Sequence, residues 1–321
     1  GGHGGVWECP DLFPLPVEGQ ETERWVLIQS LNPGAINGGS GTQYFIGDFV
    51  DGVFSVDETF TSFINHPSTN ESQESTVEKE KTGRAVWLDH GRDNYAGVTW
   101  SDIPSTDGRR LFMGWMSNWD YAQVVPTEQW RSAMTLPRTL TLRPSPEGIR
   151  LFAQPIAALQ TLRQKRHDLS PGTFSNEQDF SFLKLSGGLY ELILEFDFNK
   201  ELNTDFGIEL SNTIGETYQI GYDTKRNQFY SDRRHSGKKD FSEAFANQVI
   251  TAPRLMDQSV LKMHLFLDRS SVELFADEGA NCMTELFFPN EDFQTIKLYV
   301  KQGKTQLKSG VIYELQVAQI Q

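Results

Sequence analysis

Short runs in which apolar and polar residues alternate, separated by turns rich in Gly, Pro, Asn and Asp, recur along this chain. A period of two puts every second side chain on one face of an extended strand, so the pattern predicts half-buried β-strands. Trp25-Val26-Leu27-Ile28 and Gln43-Tyr44-Phe45-Ile46-Gly47, joined by the glycine-rich tip 32–41, read as a hairpin. Ala85-Val86-Trp87-Leu88-Asp89 and residues 94–100 form a second strand, turn, strand unit around His90-Gly91-Arg92-Asp93. Residues 110–121 read as a strand ending in a polar and aromatic rim, with Trp115 in the core, and residues 140–153 alternate again. Beyond about residue 172 the runs 189–198, 218–222, 261–267, 272–275, 296–300 and 313–317 describe a two-sheet sandwich.

Two stretches break the pattern. Residues 157–166 have helical spacing, with Leu159 and Leu162 on one side, and lead into Ser170-Pro171-Gly172; this predicts a linker, 157–172, containing a short helix. Residues 55–83, with almost nothing apolar between Ser68 and Lys81, predict a solvated surface insertion. Within it Asn70-Glu71-Ser72 is a sequon, meaningful only in a glycosylating pathway. The chain is therefore expected to be all-β, with one domain over residues 1–156 and a β-sandwich over residues 173–321.

Composition narrows the partners. A length of 321 residues suits two domains, and an aromatic fraction of 12% suits a folded, ring-rich β protein. A formal charge of -14 would repel phosphate backbones and anionic lipid, which argues against nucleic acid and membrane surfaces as partners. No apolar run is long enough to span a bilayer, and the leading Gly1-Gly2-His3-Gly4-Gly5 lacks the apolar core of a signal peptide. Cys9 and Cys282 stand far apart and predict two buried free thiols rather than a disulfide framework. The six histidines show no close ligand spacing, so no histidine-built metal site is expected; no cofactor is expected either. The tip 32–41 lacks the Gly-Lys-Ser/Thr of a phosphate cradle, and no helix follows it.

The candidate chemistry lies near the start, in Trp7-Glu8-Cys9-Pro10-Asp11-Leu12-Phe13. A carboxyl held between an indole and a proline turn can be partly desolvated, which would keep a proton available for donation. Glu8 is thus a candidate general acid, against the plainer reading of a strand-end surface carboxylate. Trp119, just past a strand end, is placed to stack on the apolar face of a sugar, or else to cover a loop. Asp93 could instead simply bond backbone in a tight turn.

These seven residues closely resemble the acid-bearing motif of glycoside hydrolase family 32, which contains invertases, levanases and inulinases. The resemblance continues through the tip 32–41, through Asp93-Asn94-Tyr95-Ala96, where the family has Asp-Phe-Tyr-Ala, and through Ser117-Asn118-Trp119. It extends over residues 125–138 and into Leu267-Asp268-Arg269-Ser270-Ser271-Val272-Glu273-Leu274-Phe275, where 268–271 form a turn. It implies that residues 1–156 are the later blades of a five-bladed β-propeller and that the sandwich is the family's trailing module. It also implies that Glu8 is the acid/base, with Asp93, Tyr95 and Trp119 lining a fructose site. Arg131 is expected to bind carbonyls or a carboxylate.

Retaining glycosidases pair a proton donor with an attacking carboxylate. In the family the nucleophile lies in an Asn-Asp-Pro-Asn type motif and a further Asp in an Arg-Asp-Pro motif, yet this chain holds no Asp-Pro dipeptide. The resemblance therefore implies an exo-acting β-fructosidase portion, inactive alone, for levan, inulin or sucrose. Its expected partners are the substrate and an N-terminal propeller segment, and its expected location is extracellular or periplasmic. The competing reading is a non-catalytic carbohydrate-binding or assembly module.

Overall fold

The computed structural model describes residues 2, 4–65, 85–175, 180–184, 188–198 and 203–318. The greater part of the expected insertion and the Asn70 sequon lie outside the described residues. The first sheet is an antiparallel meander of β1 (Val6–Pro16), β2 (Glu23–Asn32), β3 (Gly41–Val50) and β4 (Val53–Val56) in sequential order. The second runs β5 (Tyr95–Thr99), β6 (Arg110–Met116), β8 (Arg138–Ser145) and β9 (Gly148–Pro155), with β7 (Ala133–Met134) also on β6. Such radially repeated meanders are the blades of a β-propeller.

Between the blades α1 (Glu58–Asn65) corrects the expectation of a wholly solvated stretch from residue 55. Its first turn is tied down by Asp57, whose carboxylate accepts from the Thr59 N–H at 2.8 Å. Phe60 and Ile64, four residues apart, are buried in the core that the blades share.

The remaining strands build a sandwich. One sheet contains β10 (Arg163–Leu169), β11 (Gly172–Ser175), β13 (Tyr190–Asp197), β18 (Val260–Leu267), β19 (Ser271–Ala276), β20 (Asn281–Leu286) and β22 (Lys304–Leu315). The other contains β12 (Phe180–Lys184), β14 (Asp205–Ser211), β15 (Thr217–Asp223), β16 (Gln228–His235), β17 (Ile250–Pro253) and β21 (Thr295–Gln302). A continuous apolar core including Leu192, Phe206, Ile220, Leu265 and Leu298 fills the space between them.

Part of the predicted linker belongs to this sandwich. Only Ala157–Leu162 is helical, as a 3-10 helix, and β10 then pairs with β22 from Arg163 onward. The i, i+3 spacing of Leu159 and Leu162 suits the tighter three-residue turn. Gln164, Lys165, Arg166 and Asp168 are exposed, the charged composition expected of an edge strand.

Strands β19 and β20 are buried on both faces. Leu274 and Met283 point into the sandwich, whereas Phe275 and Cys282 join Phe13, Ile28 and Leu151 in the core of the blades. The same outward face carries polar groups into a buried network. Arg138, fully buried in the second blade, donates to Asp89 at 2.8 Å, to Glu273 at 2.8 Å and to Thr284 at 2.7 Å. Burial works to raise the Asp89 carboxyl, but the Arg138 guanidinium and hydrogen bonds from Thr284 and Asn94 hold it below the usual carboxylate range.

His90 lies in the same interface, its backbone N–H donating to the Cys282 carbonyl at 2.8 Å. Burial pushes its imidazole down from 6.5 to about 4, against the opposing pull of Asp89. The folded form then binds fewer protons than the unfolded chain between those values. Its contribution to stability is intact above about pH 6.5 and is lost as the pH falls to about 4. Glu285 works in the opposite sense, since burial raises it from 4.5 to about 7 and its contribution fades as the pH rises through that window. The comparison of wild type with His90→Gln isolates the imidazole. On going from pH 7 to pH 4 the wild type is expected to lose about 3 kcal/mol relative to the variant in urea unfolding. A gap that does not change with pH would show that His90 does not carry this titration.

Candidate active site

The first strand is shaped to present Glu8. Gly5 has φ +59, and a Cβ there would lie 2.4 Å from the Pro33 carbonyl oxygen, so only glycine lets the chain enter the sheet at this point. Val6, Trp7 and Glu8 pair with Asn32, Leu31 and Ser30. The register then shifts, with Cys9 at φ +48, and pairing resumes at Asp11 opposite Ile28. A bulge of this kind bends a strand and re-aims its side chains. Two hydrogen bonds hold the result: buried Gln29 donates to the Glu8 carbonyl at 2.8 Å, and the Tyr95 hydroxyl donates to the Glu8 carboxylate at 2.5 Å. Asp11 ties the same strand to the next blade by accepting from the Thr99 N–H at 2.7 Å and hydroxyl at 2.6 Å.

Glu8 itself is exposed, which corrects the expectation of a partly desolvated carboxyl. Strand β1 is the edge of its sheet, and Trp7 lies open to solvent rather than over the carboxylate. Tyr95, by contrast, is buried, and burial together with its bond to Glu8 pushes the phenol far above its ordinary value. It therefore remains an O–H donor throughout the working pH range.

From Tyr95 a path of rings leads along the same face. Tyr95 pairs with Trp115 across β5 and β6, their rings 6.3 Å apart, and Trp115 meets Trp119 at 5.1 Å. Trp115 is half-buried and belongs to this path, not to the core as its strand position suggested. Trp119 is 47% exposed, and its backbone N–H donates to Ser40 Oγ at 3.0 Å. Asn118, beside it, sits over Gly39, where a Cβ would fall 2.0 Å from the Asn118 amide oxygen. Glu8 and Trp119 are thus exposed on one face, while Tyr95, which was expected to line the sugar site, lies buried beneath it and reaches it through its hydroxyl on Glu8 and its ring beside Trp115.

Asp93 is not part of that surface. It is fully buried, and its carboxylate accepts from Tyr121 at 2.6 Å, from Arg233 at 2.6 Å and from the Leu286 N–H at 2.9 Å. Additional chain could only cover it further, so the expected sugar contact is corrected to an anchor between propeller and sandwich. Arg131 donates to the carbonyls of Gln123, Val125 and Thr127, holding a loop. Among the described residues no group of three or more His, Cys, Asp or Glu gathers as a metal site, and no helix is long and apolar enough to cross a membrane. Cys9 and Cys282 are free, the first half-buried and the second buried.

Residues 1–155 match the N-terminal domain of glycosyl hydrolases family 32, and residues 158–314 match that family's C-terminal domain. The chain belongs to glycoside hydrolase family 32. Among family 32 relatives, a levanase of Bacillus subtilis is 39% identical over 98% of this chain and 43% of its own length. An extracellular exo-inulinase of Aspergillus awamori is 33% identical over 97% of this chain and 55% of its own. The crystal structure of exo-inulinase from that organism superposes with a TM-score of 0.81 at 31% identity, covering 98% of this chain and 57% of that one. The chain therefore spans about half the length of the relatives it matches. Within the candidate site, sequence reasoning passed over Gln29 and put Trp115 in the core. The alternation of half-buried Met113 and Trp115 with buried Phe112, Gly114 and Met116 carried the signal for Trp115; for Gln29 there was none.

Proposed function

We propose that this chain supplies the proton donor and a stacking wall of a retaining, exo-acting β-fructosidase that releases terminal fructose from levan, inulin or sucrose. The observation that carries this reading is the Tyr95 hydroxyl fixing an exposed Glu8 on the face continued by Trp115 and Trp119. The chain's relatives, a levanase and an exo-inulinase among them, support the substrate class. In this reading Glu8 protonates the departing glycosidic oxygen, then takes a proton from the water that releases fructose. Tyr95 orients that carboxyl, and the indole of Trp119 covers the apolar face of the sugar. The attacking carboxylate, about 5 to 5.5 Å from Glu8 in a retaining enzyme, comes from a propeller segment outside this sequence, which contains no Asp-Pro. The extracellular nature of the exo-inulinase relative supports an extracellular or periplasmic setting.

The test is reconstitution. This chain, an N-terminal propeller segment, and the two together are incubated with sucrose and levan, and free fructose is followed. Fructose is expected only from the combined sample. Retention of fructan without fructose in any sample would favour a non-catalytic binding module. Fructose from this chain alone would overturn the claim that the second carboxylate lies elsewhere.

A further inference from the structure

The turn that carries Trp119 is fastened from below by the sandwich. Tyr121 packs edge-on against Phe245, their rings 5.0 Å apart, in an apolar cluster that also joins Met116 and Val125 to Leu286 and Phe288. Arg233, buried at the end of β16, donates to the Tyr121 hydroxyl at 2.9 Å and to Asp93 at 2.6 Å, while Tyr121 donates to the other oxygen of Asp93. The backbone N–H of Tyr121 in turn donates to the Asn118 carbonyl at 3.1 Å, and the Asn118 amide donates to the Arg92 carbonyl at 2.8 Å. Arg92 itself bonds Asp120, the Ala244 carbonyl and, through its N–H, Glu285. Residues 118, 120 and 121, which flank the indole, thus all hang on groups that the sandwich holds.

From this geometry we propose that Arg233, a residue of the sandwich, is a positioning residue for Trp119 and so sets affinity for the sugar without touching it. The inference rests on the reading of Trp119 as a sugar-stacking ring. A planar guanidinium suits the task because it reaches a carboxylate and a phenol from one fixed fork, which an ammonium cannot reproduce. The other interdomain arginine is a natural contrast. Arg138 is equally buried and pairs with Asp89, Glu273 and Thr284, none of which lies in the turn 118–121.

Arg233→Lys, Arg138→Lys, Trp119→Ala and the double variant Trp119→Ala/Arg233→Lys are made in the reconstituted enzyme and assayed on sucrose well below their unfolding temperatures. Arg233→Lys is expected to raise KM about tenfold with kcat within about twofold, the signature of lost ground-state binding. Arg138→Lys is expected to lower the unfolding midpoint without moving KM, and Arg233→Lys is expected to add nothing in the Trp119→Ala background. Should Arg233→Lys not fold, Tyr121→Phe removes the shared hydroxyl and is expected to raise KM in the same direction. A KM unchanged by Arg233→Lys, or raised equally with and without Trp119, overturns the positioning role while leaving Trp119 as a sugar contact. A KM unchanged by Trp119→Ala removes the stacking reading and the positioning role with it.

Discussion

Glu8→Gln, made in the reconstituted enzyme, is expected to lower kcat for sucrose and levan by roughly 100- to 10,000-fold, the usual worth of a positioned general acid. The amide has the shape of the carboxyl and its oxygen can still accept from Tyr95, so the local geometry is preserved and only the transferable proton is removed. KM should therefore move little. A fructoside with a leaving group that departs without protonation separates the roles. Its first step is expected to stay near the normal rate, because no proton is needed there. Sucrose hydrolysis within a few-fold of normal in the variant would remove Glu8 from the mechanism and leave it as a surface carboxylate.

Arg138→Gln is expected to cost about 3 to 5 kcal/mol of stability, read as a lowered midpoint in urea unfolding. The side chain is wholly buried between two carboxylates, Asp89 and Glu273, that belong to different domains. Removing the cation leaves both anions without their charge partner in a region of low dielectric, where desolvation is no longer offset. The double variant Arg138→Gln/Glu273→Gln is expected to be less damaged than the sum of the two single changes. Strict additivity would show that the two groups are not coupled across the interface.

Much of this was legible in the sequence because it depends on local pattern. Alternation located β2, β3, β5, β6, β8 and β9 of the blades and β13, β15, β18, β19, β21 and β22 of the sandwich, and the run from Trp7 to Phe13 singled out Glu8; the strand expected at 85–89 is instead an isolated bridge from Trp87 to Gln43. What alternation cannot say is what covers each face. Glu273 reads as the solvent side of an amphipathic strand, yet the second blade lies over it and its partner Arg138 is 135 residues away in the chain. Asp93 reads as a turn residue near a sugar for the same reason, since Arg233, 140 residues further on, is invisible from its neighbours. Trp115 could have been placed, because the residues it alternates with, Phe112 and Met116, are the ones that reach the core. The helix Glu58–Asn65 was hidden by the polar stretch that follows it, although Asp57 and the Phe60, Ile64 pair announce it.

The double-sided burial of β19 and β20 bears on how such an enzyme can be dissected. The sandwich is the floor on which the blades stand, and severing it after residue 155 would wet Phe13, Ile28 and Leu151 where Phe275 and Cys282 had kept them dry. A shortened version without that floor should aggregate rather than behave as a minimal catalyst. Exchange of trailing modules between relatives would have to carry the matching underside of the blades along.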